Sequence, residues 1–265
     1  MINKVLCGNA EVELKKLPDN YVDLTVTSPP YDNLRDYDGY SFNFEKIADE
    51  LFKVTKEGGV VVWIIKDESK NHDESGTSFK HALYFKEIGF KLYDTLIYNK
   101  EKVTFPHKNM YYDSFEYMFV FSKGKPKTVN LLKDRKNNWG GSSSWGNVSQ
   151  REKDGSLTKK GKRVIPEYGV RFNVWRYMSG YGHSTKDLFT FEHPATFPEA
   201  LVRDHIMSWS NEGDLVLDPL CGSGTTLKMA KLLNRNYLGI EISEKYCKIS
   251  EKRIPITVTM ESNQD

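Results

Sequence analysis

A chain of 265 residues with 38% hydrophobic, 28% charged and 13% aromatic residues has the composition of an ordinary globular protein, which excludes a fibrous or largely disordered class. The length suits one sizeable core with an inserted or appended subdomain. No run approaches the ~20 apolar residues of a membrane span, nor does a secretion signal open the chain, so a cytoplasmic protein without membrane contact is expected. The formal charge of +2 is unevenly spread: residues 123–163 hold twelve Lys or Arg against three acids, a net +9 that leaves −7 for the remainder. Such a segment attracts a polyanion, although a charge run taken alone is more often a solvated face. Cys7, Cys221 and Cys247 are widely spaced and lack a C-x-x-C pattern, which predicts reduced thiols rather than a disulfide framework or a structural zinc site. No His, Cys or acid cluster has metal-ligand spacing.

In chain order, residues 5–6 and 22–27 form short apolar runs that end in Gly8-Asn9 and Ser28-Pro29-Pro30, as buried parallel strands do. Residues 44–56 place Ile47, Leu51, Phe52 and Val54 at near-helical spacing; Gly58-Gly59 is expected to stop that helix before a central strand at 60–65. Residues 79–88 predict a second helix stopped at Gly89, and 92–98 and 115–121 two further strands. From 123 to about 171 the pattern dissolves into Lys, Gly, Ser and Asn, and no element is predicted there. Residues 198–209 are helical, 214–217 a strand, then a glycine-rich turn, a helix, a strand at 237–242 and a closing helix at 244–253. Alternating strands and helices predict an α/β doubly wound sheet.

The strand at 214–217 runs into Gly222-Ser223-Gly224 and a helix, an arrangement that brings bare amides at a helix N-terminus close to a ligand. The spacing is neither the dinucleotide fingerprint nor a phosphate loop, since no lysine follows Gly224. Glu241 lies at the end of the next strand, where an acid accepts hydrogen bonds from both hydroxyls of a ribose. A ligand with ribose but no pyrophosphate fits, and S-adenosylmethionine (SAM) is one. A lone Gly-x-Gly is as often a packing turn. The full string Asp218-Pro219-Leu220-Cys221-Gly222-Ser223-Gly224-Thr225-Thr226 resembles the SAM-binding motif of DNA amino-methyltransferases, in which Phe often replaces Leu220.

Thr27-Ser28-Pro29-Pro30-Tyr31 follows a strand; its prolines fix φ, remove two donors and leave carbonyl acceptors free. Such a turn suits acceptance of hydrogens from an amino group, and Tyr31 can stack on an extruded base. A Pro-Pro turn alone is a rigid loop with a packing tyrosine. Ser28 lacks the G-x-S-x-G context of a hydrolase nucleophile. Ser-Pro-Pro-Tyr resembles the catalytic motif of the same methyltransferases, and its position ahead of the SAM motif, with a basic stretch between, resembles their β class.

The resemblance implies a Rossmann-like SAM-dependent methyltransferase fold: a mostly parallel seven-stranded sheet with circularly permuted motif order, in which residues 3–7 supply the strand beside the SAM pocket. It implies a catalytic part at 1–122, a target-recognition region at 123–185, a SAM-binding part at 186–254 and a tail at 255–265. It further assigns SAM contact to Asn9 (commonly Asp), His193, Pro194 and Phe197 (in a segment that often begins with Lys), Asp218, Pro219, Cys221, Gly222, Ser223, Gly224, Thr225 and Glu241. Catalysis falls to Ser28, Pro29, Pro30 and Tyr31. The basic segment offers Lys133, Arg135, Lys136, Trp139, Trp145, Arg151, Lys159, Lys160, Lys162 and Arg163 to double-stranded DNA. The implied reaction methylates the exocyclic nitrogen of cytosine, because Ser28 resembles the cytosine form; adenine is the alternative, and a non-catalytic DNA-binding protein or an RNA methyltransferase are more remote. A homodimer and a cognate restriction endonuclease acting on the same site stay open as partners, and the family implies a prokaryotic or phage origin.

Overall fold

The computed structural model describes residues 2–30, 42–100, 109, 111–143, 148–160, 164–180, 182–192 and 198–254. In chain order its elements are β1 (Lys4–Cys7), α1 (Ala10–Glu13), β2 (Val22–Thr27), α2 (Phe44–Val54), β3 (Thr55–Ile65), the short pair β4 (Ser69–Lys70) and β5 (Asp73–Glu74), and α3 (Thr77–Glu87). There follow β6 (Lys91–Lys100), β7 (Phe115–Ser122), β8 (Arg135–Lys136), β9 (Val148–Arg151), β10 (Leu157–Lys160), β11 (Tyr168–Gly169) and β12 (Val174–Tyr177). The chain continues through α4 (Glu199–Trp209), β13 (Leu215–Asp218), α5 (Thr225–Leu232), β14 (Asn236–Glu241) and α6 (Glu244–Arg253). Two compact units result: Leu131–Phe172, and the rest of the chain. Among the described residues no helix is long and apolar enough to cross a membrane.

The larger unit is built on one sheet of order β1-β14-β13-β2-β3-β7-β6-β12, in which only β7 runs against its neighbours. The first seven strands are the expected ones, and β1 pairs in parallel with β14, as the permuted motif order requires. The eighth, β12, escapes sequence reading because of its four residues only Trp175 is buried and it pairs with β6 alone, at the sheet edge. Helices cover both faces, so strands such as β3 read as continuous apolar runs: Val60 to Ile65 are all buried. On α2, Ile47, Leu51 and Val54 form the inward stripe, packed with Trp63, Phe85 and Phe121.

Gly58 and Gly59 do not stop α2. The helix ends at Val54, where the hydroxyl of Thr55 donates to the Leu51 carbonyl at 2.6 Å. The glycines lie inside β3, where its register with β2 jumps from Val22↔Thr55 to Leu24↔Val60. Gly58 has φ +76°, a left-handed value that a bulge of this kind requires and that side chains resist.

The smaller unit holds two antiparallel ribbons, β8 with β11 and β9 with β10. The sequence predicts no element here, because strands of two and four residues are too short to show a period. Residues 173–185, assigned from the sequence to the recognition region, belong to the larger unit, and β12 is a strand of its sheet.

Candidate active site

The carboxyl ends of β1, β14, β13 and β2 lie side by side. The chain winds outward from β13 through β14 on one side and from β2 through β3 on the other, so the boundary between β13 and β2 is the topological switch point, the place where open α/β sheets bind ligands.

Asp218 ends β13 there and is 1% exposed. Its Oδ1 accepts from the Thr27 hydroxyl at 2.8 Å and from the Leu220 amide at 3.2 Å. Burial pushes its carboxyl up to about 6, against the hydrogen bonds from Thr226, Thr27 and Leu220 and with the nearby charge of Glu241. Thr27 immediately precedes Ser28, so this one bond ties the Ser-Pro-Pro turn to the start of the glycine loop. Ser28 and Pro30 are half-buried and Pro29 is buried. Tyr31 lies outside the described residues.

The loop turns tightly after the buried Pro219. The Cys221 amide donates to the Ile240 carbonyl and the Gly224 amide to the Cys221 carbonyl, at 2.9 and 2.7 Å. Gly224 has φ +79°, and a Cβ on it would meet Ser250 Oγ at 2.7 Å, so glycine is required on both counts. The Cys221 thiol is buried 3.8 Å from Ser250 Oγ, and burial pushes its pKa up.

Glu241, half-buried at the end of β14, accepts the Gly222 amide on Oε2 and the Ser243 amide on Oε1, each at 2.9 Å. Burial raises its pKa while those amides oppose the rise. A carboxylate has about four lone-pair sites, so both oxygens can still accept from a ligand. Next to it, the Gly8 amide donates to the Glu241 carbonyl at 2.8 Å. Asn9 follows, and its Oδ1 caps α1 by accepting from the Glu11 amide at 2.7 Å. The structure therefore brings Asn9, Asp218, the loop from Gly222 to Thr225, Glu241 and the Ser28 turn to one end of the sheet. His193, Pro194 and Phe197 lie outside the described residues, between the 3-10 turn Leu188–Glu192 and α4.

Sequence reasoning missed what stands behind the loop. Arg253, on the last turn of α6 and 4% exposed, donates to the Ser223 carbonyl, the Ser223 hydroxyl and the Thr225 hydroxyl at 3.2, 3.1 and 2.7 Å. The Ser223 and Thr225 side chains are thus engaged from the helix side. The signal was the spacing of Cys247, Ser250 and Arg253, buried at every third position of a helix that otherwise reads as charged.

In the smaller unit Lys133, Lys136, Arg151 and Lys159 are exposed and Trp139 is 70% exposed. Arg135 is half-buried: it donates to the Val170 carbonyl at 3.0 Å and lies over the Phe172 ring at 4.5 Å. Lys160 ends β10; Trp145, Lys162 and Arg163 lie outside the described residues. Among the described residues no group of three or more His, Cys, Asp or Glu could hold a metal ion.

The sequence pattern of the DNA methylase family, N6/N4 type, matches residues 22–252. The orphan methyltransferase M.BamHII of Bacillus amyloliquefaciens is 57% identical over 241 residues, covering 91% of each chain. The PvuII DNA methyltransferase, cytosine-N4-specific, superposes with a TM-score of 0.69 at 18% identity, covering 96% of this chain and 87% of that one. The structure of the M1.HpyAVI–SAM complex gives 0.64 at 20% identity, covering 94% and 98%.

Proposed function

Because this chain belongs to the DNA methylase family, we propose that it transfers the methyl group of SAM to the exocyclic N4 of cytosine in double-stranded DNA. The observation that supports methyl transfer is the Thr27–Asp218 hydrogen bond, which ties the Ser28-Pro29-Pro30 turn to the glycine loop at the switch point of the sheet; the choice of cytosine rests on Ser28 at the head of that turn.

The donor set fits SAM. Asp218 and Glu241 are acceptors at the two ends of the loop region; a ligand bearing ribose hydroxyls, an ammonium and a sulfonium charge satisfies them, whereas a phosphate would face two carboxylates. Glu241 would take the ribose hydroxyls, and Asp218 with the Gly222–Thr225 loop the amino-acid end. Asn9, Pro219 and Cys221 lie at the same end of the sheet, and the family resemblance adds His193, Pro194 and Phe197 to the SAM contacts. SAM, when bound, supplies the electrophilic methyl group.

The chain's own residues polarise and position the base. The Ser28 hydroxyl and the Pro29 carbonyl accept the two amino hydrogens, which turns the nitrogen lone pair out of the ring system and toward the methyl; Pro30 holds the turn and Tyr31 stacks on the extruded base. Carbon methylation would need a thiolate to attack the ring, but Cys221 is buried with its pKa pushed up and the turn offers a hydroxyl and carbonyls, with no thiol. DNA is held by Lys133, Arg135, Lys136, Trp139, Trp145, Arg151, Lys159, Lys160, Lys162 and Arg163, and the region that carries them reads the target sequence. The Bacillus relative's designation as an orphan methyltransferase favours a solitary enzyme over one paired with a nuclease.

Mass spectrometry of nucleosides from DNA treated with the protein and SAM tests the proposal. N4-methylcytosine is expected. N6-methyladenine would overturn the choice of base while keeping the acceptor mechanism, and C5-methylcytosine would overturn the mechanism.

A further inference from the structure

We infer that Arg253 is a positioning residue for methyl transfer: from the last turn of α6 it grips Ser223, between the two loop glycines, and sets the backbone against which SAM rests. This rests on the assignment of SAM to the Gly222–Thr225 loop.

A guanidinium with no exposed side-chain surface is costly unless every arm is matched. Here every arm is. Nη1 takes the three loop oxygens already described, Nε bonds Asp187 Oδ2 at 3.1 Å and Nη2 bonds Glu199 Oε1 at 2.9 Å. Lys228, on the helix that the loop opens, reaches the same two carboxylates at 2.7 and 2.9 Å, so two cations balance two anions. Burial works against both carboxylates, yet the hydrogen bonds and charges of Lys228 and Arg253, with Thr185 helping Glu199, hold them below the ordinary range.

The division of labour within this cluster is what makes Arg253 specific. Lys228 touches only carboxylates, whereas Arg253 alone spans carboxylates and loop. Ser250, one turn back on α6, adds a second grip by donating to the Gly222 carbonyl at 2.8 Å. Both carbonyls held from behind, those of Gly222 and Ser223, belong to the peptide planes that orient the next amides. A shift of α6 would therefore move the Ser223 and Gly224 amides directly.

The test uses the full chain and SAM, with calorimetric affinity, separate KM values for SAM and DNA, and Tm. Arg253→Gln is expected to weaken SAM about tenfold or more, the loss of charged hydrogen bonds, and to raise the KM for SAM in step. The KM for DNA and kcat at saturating SAM should stay within about threefold, since one well-placed loop acts on ground-state binding. Lys228→Met should lower Tm, as Arg253→Gln does, yet leave SAM affinity within about twofold, because it breaks the same ion cluster without releasing the loop. Unchanged SAM affinity in Arg253→Gln, or an equal loss in Lys228→Met, would overturn the inference. If Arg253→Gln does not fold, Arg253→Lys, which keeps the balancing charge and loses the forked reach, is compared with Lys228→Met by the same criterion. Glu241→Ala separates the two levels of argument: if it leaves SAM binding intact the loop assignment itself fails, and if it weakens SAM while the Arg253 variants do not, only the positioning role fails.

Discussion

Asp218 offers a test whose sign is fixed by its surroundings. Its folded carboxyl titrates at about 6 against an ordinary value of 3.8, so the fold prefers the protonated form. Well below pH 3.8 the group is neutral in both states and costs nothing; as pH rises the unfolded chain ionises first, and stability falls until the folded carboxyl ionises as well. The gap between 3.8 and about 6 corresponds to about 3 kcal/mol, full above pH 6.5. Asp218→Asn removes the titration but keeps an oxygen to accept from Thr27 and Leu220. The variant should therefore gain on the parent from little at pH 4 to about 3 kcal/mol at pH 7. Subtraction cancels Asp187 and Glu199, whose lowered values act in the opposite sense, their stability being lost as pH falls below the ordinary carboxylate range. Urea unfolding at four pH values reads the difference. A difference that stays constant from pH 4 to 7 would refute the reasoning. The variant should also bind SAM less well, since a neutral amide cannot meet an ammonium, so stability and function should move apart.

Replacing Glu241 by Ala should weaken SAM by about 1 to 3 kcal/mol, the worth of hydrogen bonds at a partly desolvated acid; calorimetry giving equal affinity would remove it from the pocket. Neutralising Lys159, Lys160, Lys162 and Arg163 together should flatten the salt dependence of DNA binding by about 0.9 per lost phosphate contact while SAM binding is untouched, and an unaltered slope would make the segment merely a solvated surface. Tyr31→Ala should lower turnover by about 1 to 3 kcal/mol through lost stacking with SAM affinity nearly constant; a fall in SAM affinity instead would place the ring on the cofactor.

The features legible in the sequence are those whose signal is local. A continuous apolar run marks β3, a nine-residue string marks the glycine loop, and the order of two motifs predicts that β1 lies beside β14. What escaped reading depends on partners far along the chain. Thr27 and Asp218 are bonded across β2 and β13, and nothing around Thr27 distinguishes it from any strand-end threonine. Cys7 and Cys247, widely separated in sequence, bring their sulfurs to 2.6 Å while remaining thiols. Arg253 reads as one more surface cation of a charged helix until Asp187, Glu199, Ser223 and Thr225 are folded around it. The short ribbons of the smaller unit fail for the opposite reason: they are local, but too brief for alternation to stand out from loop composition.

The pairing of β1 with β14 bears on how the protein is made. Lys4 lies opposite Leu238, so β1 has no partner in the sheet until β14, far along the chain, has been synthesised. The Gly222–Thr225 loop likewise lacks the bonds from Ser250 and Arg253 until α6 has been made. Parallel pairing across so long a separation is slow, and an open strand edge is a template for another chain. A chain interrupted before β14 would leave β1 without a partner and one edge of β13 open, an aggregation-prone product rather than a weakened enzyme.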